Sequence, residues 1–127
     1  MSVKAIARGV RISPRKIQVV ASLVRGRTVA DALTILEHTP RRSAEPVRKV
    51  IESARANAEH NHNLKPDTLQ ITTIHVTPGP SLKRFRPAAH GRALPFERRS
   101  AHITVIVDGE TRVVKKPATA KADKETK

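Results

Sequence analysis

Arginine is the residue whose type and spacing say most in this chain. Lys4, Arg8, Arg11, Arg15, Lys16, Arg25 and Arg27 put seven cations and no acid into residues 1–30. Lys83, Arg84, Arg86, Arg92, Arg98 and Arg99 put six against the single Glu97 into residues 81–102. The guanidinium is a planar fork of donors that pairs two at a time with phosphate oxygens, so two such blocks are equipped to grip a polyanion. The 127 residues carry 25 Lys and Arg against 11 Asp and Glu, a net +14. Solubility of a small domain needs only about 2 to 8. Residues 31–62 hold five of each sign, so the excess is segregated, with one face for a ligand and another for folding or water.

Other chemistry is poorly supplied. Without cysteine there is no disulfide framework, thiolate zinc site or cysteine nucleophile, which fits a reducing compartment. His60-x-His62 is spaced like a metal pair but lacks a carboxylate or thiol partner at matching spacing, so no metal and no cofactor is expected. No Gly-rich phosphate loop, Ser-His-Asp arrangement or cluster of carboxylates is present, which speaks against an enzyme. Two Phe and no Trp or Tyr speak against modules that stack successive bases on aromatic platforms. No apolar run approaches the roughly 20 residues of a membrane span, and the N-terminus has no signal-peptide stretch, so a cytoplasmic address without a membrane partner is expected.

The elements that must position these cations follow from periodicity. Ile6, Val10 and Ile12 fall on even positions of Val3–Ile12, which predicts a short strand with that face inward and a turn at Gly9. Ser13-Pro14 is a helix start, with Ser as cap. Ile17, Val20, Ala21 and Val24 form one stripe and Gly26 a left-handed stop. Thr28 and Asp31 resemble a capping box for a second helix to about His38, with Val29, Ala32, Leu33 and Leu36 inward. A third helix capped by Ser43 puts Pro46 at its third position, where no intrahelical N–H bond is owed. Its stripe is Val47, Val50, Ile51, Ala54 and Ala58, running to about His60. Leu69–Val76 and Ile103–Val107 read as strands. Asp108-Gly109 signals a type I′ turn with an extra strand over Thr111–Val114. Residues 115–127 hold nothing to bury and are expected to be a disordered basic tail, leaving a single domain over 1–114.

Between the last two long strands, residues 77–101 are far longer than the two to six that join most elements. The segment TPGPSLKRFRPAAHGRALPFERRSA contains four prolines and both phenylalanines. A two-stranded ribbon turning near Ala88–Arg92 would have arms of roughly 40 Å at about 3.3 Å per residue. Prolines suit free edges, and an isolated hairpin is marginal in water, so another molecule must steady it. The fold class is α+β: three helices packed on a small antiparallel sheet, with a long protruding β-hairpin.

ESARANAEHN (Glu52–Asn61), GPSLKRFRP (Gly79–Pro87), HGRA (His90–Ala93) and RRSAHITVIV (Arg98–Val107), in this order of elements, resemble the bacterial large-subunit ribosomal protein twenty-two family over about residues 3–108. The resemblance implies binding to large-subunit ribosomal RNA during assembly, beside neighbouring ribosomal proteins. It implies a globular part near the peptide exit and a hairpin lining the exit tunnel, its tip at His90–Ala93 close to the nascent peptide. Lys83 and Arg84 match the region of the tunnel constriction that the family links to macrolide sensitivity.

The mechanism expected from the residues is electrostatic capture with counterion release, then shape recognition of folded RNA. Arg8, Arg11, Arg15, Lys16, Arg25 and Arg27 would fasten the body, and Lys83, Arg84, Arg86, His90, Arg92, Arg98 and Arg99 would engage through the hairpin. The alternative is a histone-like architectural DNA-binding protein with basic β-arms. Such dimers need a large apolar interface, and the apolar residues here suffice for one small core, so no homo-oligomer is expected. A helix-turn-helix reader would have Asp31 and Glu37 on its recognition helix, the wrong sign for DNA. A membrane-surface protein would want aromatic anchors that the first helix lacks.

Overall fold

A computed structural model describes residues 2–111 of the chain. The order is β1 (Ser2–Val10), α1 (Pro14–Val24), α2 (Val29–His38), α3 (Ala44–His62), β2 (Gln70–Pro78), β3 (Leu82–Pro87), β4 (Ala93–Arg98) and β5 (Ala101–Asp108). Strands β1, β5 and β2 form an antiparallel sheet in that order, and β3 and β4 form a separate two-stranded ribbon. The class is therefore α+β, as the periodicities predict. The predicted extra strand over 111–114 and the tail lie almost wholly outside the described residues. Thr111 itself bridges to Leu64, and the Lys65 N–H donates to the Glu110 carbonyl at 2.9 Å. The chain thus leaves β5 toward the end of α3. Neither Asp108 nor Gly109 has the positive φ that a type I′ turn requires.

All three helices contribute to one core on a single side of the sheet. Ile17, Val20 and Val24 of α1, Val29 and Leu36 of α2, and Val47, Ile51, Ala54 and Ala58 of α3 meet Ile71, Ile74, Ile103, Val105 and Val107. In β5 every odd residue from Ala101 to Val107 is buried, the two-residue alternation of a strand with one covered face. In β2 the register shifts between Ile71 and Thr73, so that odd Ile71 and even Ile74 both point inward.

The inward face of β1 is the opposite of the one its large residues suggest. Val3 and Ala5 are buried while Ile6 is 44% exposed. Alanines at 5 and 7 keep this strand slim under α3, whose own buried residues include Ala54 and Ala58. Small side chains on both partners let helix and sheet approach closely, and that packing outweighs burial of one isoleucine. A register shift between Ala7 and Val10, with Gly9 at φ 70°, then turns Val10 and Ile12 partly back against the core.

Helix boundaries follow their caps. The Thr28 hydroxyl accepts from the Asp31 N–H at 3.2 Å and donates to its carboxylate at 2.8 Å, which starts α2. Ser13 and Ser43 precede α1 and α3 but make no side-chain cap bond, unlike the prediction. Helix α3 runs two residues past His60 and stops at Asn63, whose φ of 49° is tolerated by its short polar side chain. Gly26, at φ 74°, ends the first helix. It turns the chain so that the Gly26 N–H reaches the Ile71 carbonyl and the Ile71 N–H reaches the Arg27 carbonyl.

Candidate nucleic-acid interface

The hairpin is a ribbon with two unlike faces. Residues paired across an antiparallel ribbon project to the same side. One face carries Leu82 with Arg98, Arg84 with Phe96, and Arg86 with Leu94. The other carries Lys83 with Glu97, Phe85 with Pro95, and Pro87 with Ala93. Three arginines therefore share one face, whereas the opposite face has one charge of each sign and a Phe85 that is 69% exposed. The Arg86 guanidinium lies 4.8 Å from the centre of the Phe96 ring, a cation–π contact that stiffens the arginine face. At the tip, the Ala88 N–H donates to the Arg92 carbonyl at 2.7 Å, with His90 at φ 58° and Gly91 at φ 68°.

The predicted continuous ribbon is interrupted at its root. Pairing of β2 with β5 ends at Pro78 and Ala101, and pairing resumes only at Leu82 and Arg98. Six-residue strands span about 20 Å, not the roughly 40 Å of unbroken arms. Between the two sheets the Gly79 N–H donates to the Ser100 carbonyl at 2.9 Å, and the Ser100 hydroxyl donates to the Pro80 carbonyl at 2.6 Å. Beside them the Gly9 N–H donates to His102 Nδ1 at 3.0 Å, which ties the end of β1 to the same joint.

This joint directs the arginine face of the ribbon toward the body and opens a cleft there. Two adjoining lobes, of about 640 and about 680 Å³, share Arg11, Arg42, Arg98 and Arg99. Arg84 lines the first lobe, and Lys16 and Arg41 line the second. Glu97 is the one carboxylate in the lining, held by Arg99 at 3.4 Å.

The thirteen RNA-binding candidates picked out in the sequence do not form one patch. Arg11, Lys16, Arg84, Arg98 and Arg99 meet in the cleft. Lys83, Arg86, His90 and Arg92 lie farther out along the hairpin. Arg8 alternates with buried Ala5 and half-buried Ala7, so it projects from the side of β1 away from the helices. Arg15 is exposed on the first turn of α1. Arg25 and Arg27 sit past the far end of that helix, about 16 Å from its start. There Arg25 Nη2 donates to the Ile74 carbonyl at 3.1 Å and Arg27 Nε donates to the Leu23 carbonyl at 2.9 Å. Both serve the fold as well as the surface.

Arg41 and Arg42 are the cleft residues that sequence reasoning passed over. They lie in the charge-balanced stretch 31–62, where five acids cancel five bases on paper. In space three of the acids are spent elsewhere: Arg48 pairs with Glu37 at 3.8 Å and Glu52 at 2.8 Å, and Lys49 with Glu45 at 2.8 Å. The hydrogen bond and charge of Lys49 hold the Glu45 carboxyl below its ordinary value. Among the described residues, Arg41 and Arg42 form no close ion pair, although the charge of Arg42 adds to the lowering of Glu45, and both line the cleft. The dipeptide Arg41-Arg42 directly before a helix start was the available signal. His60 and His62 sit exposed in the last turn of α3, where a helix C-terminus favours positive charge. No group of three metal-ligating side chains occurs among the described residues.

A cationic cleft and a two-faced basic ribbon on an α+β body lie within a stretch of sequence that one family model covers. The family model for ribosomal protein L22p/L17e matches residues 5–108, a span that takes in the body, the cleft and the whole hairpin. The chain belongs to the L22p/L17e family of ribosomal proteins. It is 55% identical over 104 residues to large ribosomal subunit protein uL22 of Desulfitobacterium hafniense strain Y51, covering 82% of this chain and 91% of the relative. It is 53% identical over 105 residues to uL22 of Synechococcus sp. strain JA-3-3Ab, covering 83% and 85%. As an L22-family protein it is a structural constituent of the large subunit of the cytoplasmic ribosome, not an enzyme. The histone-like alternative falls with that membership.

Proposed function

We propose that this L22-family chain binds large-subunit ribosomal RNA during assembly, with its body near the peptide exit and its hairpin lining the exit tunnel. Neighbouring ribosomal proteins flank it, and the nascent peptide passes the tip at His90–Ala93. The observation that carries the reading is the arginine face of the ribbon turned onto the cleft. Arg11, Arg84 and Arg98 converge there without an ion pair among the described residues, and Arg42, which also feels the Glu45 carboxylate, joins them. Bare cations held this close repel one another, and a polyanion relieves that repulsion and releases its counterions on binding.

Reversing Lys83, Arg84, Arg86 and Arg92 to Glu tests the reading. Loss of binding to a large-subunit ribosomal RNA fragment is expected, with an unchanged thermal transition because all four side chains are exposed. Unchanged RNA binding overturns it. Crosslinking the assembled subunit through Arg84 and Arg92 should likewise recover large-subunit RNA, and recovery of other partners alone would count against the proposal.

A further inference from the structure

The two lobes of the cleft differ in chemistry. The first is floored by Pro80, Leu82 and Phe96, and Leu82 is 47% exposed. The second lies where two helices begin: Ser13 and Ser43, the residues before α1 and α3, both line it beside Lys16 and Arg41. Ser43 is only 6% exposed, yet its hydroxyl makes no cap bond and has no hydrogen-bond partner in the protein, and the residue faces the lobe. Helices of 11 and 19 residues thus bring their N-terminal ends and one unpartnered hydroxyl, open to the lobe, together beside Lys16 and Arg41, and Glu97, the one carboxylate of this lining, is taken up by Arg99. Arg11, Arg42, Arg98 and Arg99 form the partition between this seat and the apolar floor.

A site for phosphate alone has no use for an apolar floor, and a site for an apolar group has no use for four arginines. A nucleotide whose base is turned out of its stack carries both chemistries at fixed separation. We infer that the hairpin-root cleft holds one unpaired nucleotide of the bound RNA. Its phosphate sits at the Ser43 lobe and its base against Phe96 and Leu82. Arg86 covers Phe96 from along the ribbon, so the ring is held in place before the base arrives. Two phenylalanines in a whole chain cannot make a platform for successive bases, but one ring suffices for a single base.

The inference rests on the ribosomal RNA reading above and can fail independently of it. The full chain is bound to a large-subunit ribosomal RNA fragment, and base and backbone accessibility are chemically probed for wild type, Phe96→Ala and Ser43→Ala. With Phe96→Ala, affinity should fall at least about fivefold, the low end of what one stacked base contributes. One unpaired base should lose its protection while backbone protections persist. Ser43→Ala should instead expose a phosphate next to that same nucleotide. Circular dichroism should show both variants folded, since Phe96 lies outside the core and Ser43 caps nothing. If Phe96→Ala leaves affinity and every base protection unchanged while wild type binds, the nucleotide seat is wrong and the RNA reading stands. If wild type does not bind the fragment, the RNA reading itself fails.

Discussion

Thr28 and Ser13 both precede a helix, and they do different work. Thr28 closes a reciprocal pair with Asp31, satisfying an N–H that the helix cannot. Thr28→Ala should therefore cost about 1 kcal/mol in chemical denaturation. Ser13→Ala should cost only a few tenths, because Ser13 makes no cap bond to lose. Gly79 is a different kind of constraint, since its backbone does not need a positive φ. A Cβ there would lie 2.6 Å from the Ser100 hydroxyl oxygen and 3.4 Å from the Ala101 nitrogen. Gly79→Ala must push Ser100 off the Pro80 carbonyl, and losing that bond costs about 1 kcal/mol. In a double-mutant cycle, Gly79→Ala should be milder on a Ser100→Ala background, because the clashing oxygen is gone. Additive effects would show that the clash is relieved some other way. On the acid side, the depressed Glu45 carboxyl contributes stability that is present above its ordinary range and lost as pH falls through the lowered value. Its full exposure keeps that contribution small.

The hairpin shows how far element-level reading of the sequence reaches. Its existence, its turn near Ala88–Arg92 and its basic character follow from length, proline content and charge. Its two-facedness does not, because strand register decides which of Lys83 and Arg84 shares a side with Arg98, and no alternation of large apolar residues announces that register. The same limit explains β1: Ile6 looked like the core residue, and the alanines between gave no hydrophobic signal although α3 packs on them. The helices were more legible, their apolar stripes and stops holding to within two residues at each end, since a 3.6-residue period needs no partner to be read. The cleft was half legible. Its hairpin and N-terminal arginines stood out, whereas Arg41 and Arg42 were hidden by acids that pair elsewhere on α3. Register now makes a prediction that composition cannot. Arg84→Glu with Arg86→Glu reverses one face, and Lys83→Glu reverses a single charge on the other. Ribosomal RNA affinity should drop far more for the arginine pair than for twice the effect of Lys83→Glu. Equal loss per charge, measured by filter binding at fixed salt, would mean that RNA surrounds the ribbon and does not favour the face turned to the cleft.

At the scale of the whole molecule, the cations divide into those that hold the fold and those left for a ligand. Arg48 and Lys49 pair with Glu37, Glu45 and Glu52 of α2 and α3, and Lys65 lies 3.9 Å from Glu110. Arg25 and Arg27 are each tied to a backbone carbonyl by one N–H while keeping their charge at the surface. Among the described residues, the cations without an ion pair are densest at the cleft and along the hairpin, with Lys4, Arg8, Arg15 and Arg55 scattered elsewhere, so the number of phosphates neutralised should be set mainly by that surface and not by the net charge of +14. Counterion release makes this measurable, because each phosphate contact adds about 0.7 to 0.9 to the slope of log affinity against log salt. The bare cations of the cleft and hairpin predict a slope corresponding to roughly six to ten contacts, a loss of about 10³ to 10⁵ in affinity between 50 and 200 mM salt. Replacing Arg42 by Gln should lower that slope by about one unit, although residues 31–62 sum to zero charge. Replacing Arg48 by Gln should leave it unchanged, because Arg48 is already occupied by Glu37 and Glu52. If both substitutions shift the slope alike, the charge acts as a diffuse cloud and the partition between structural and ligand-facing cations has no functional meaning.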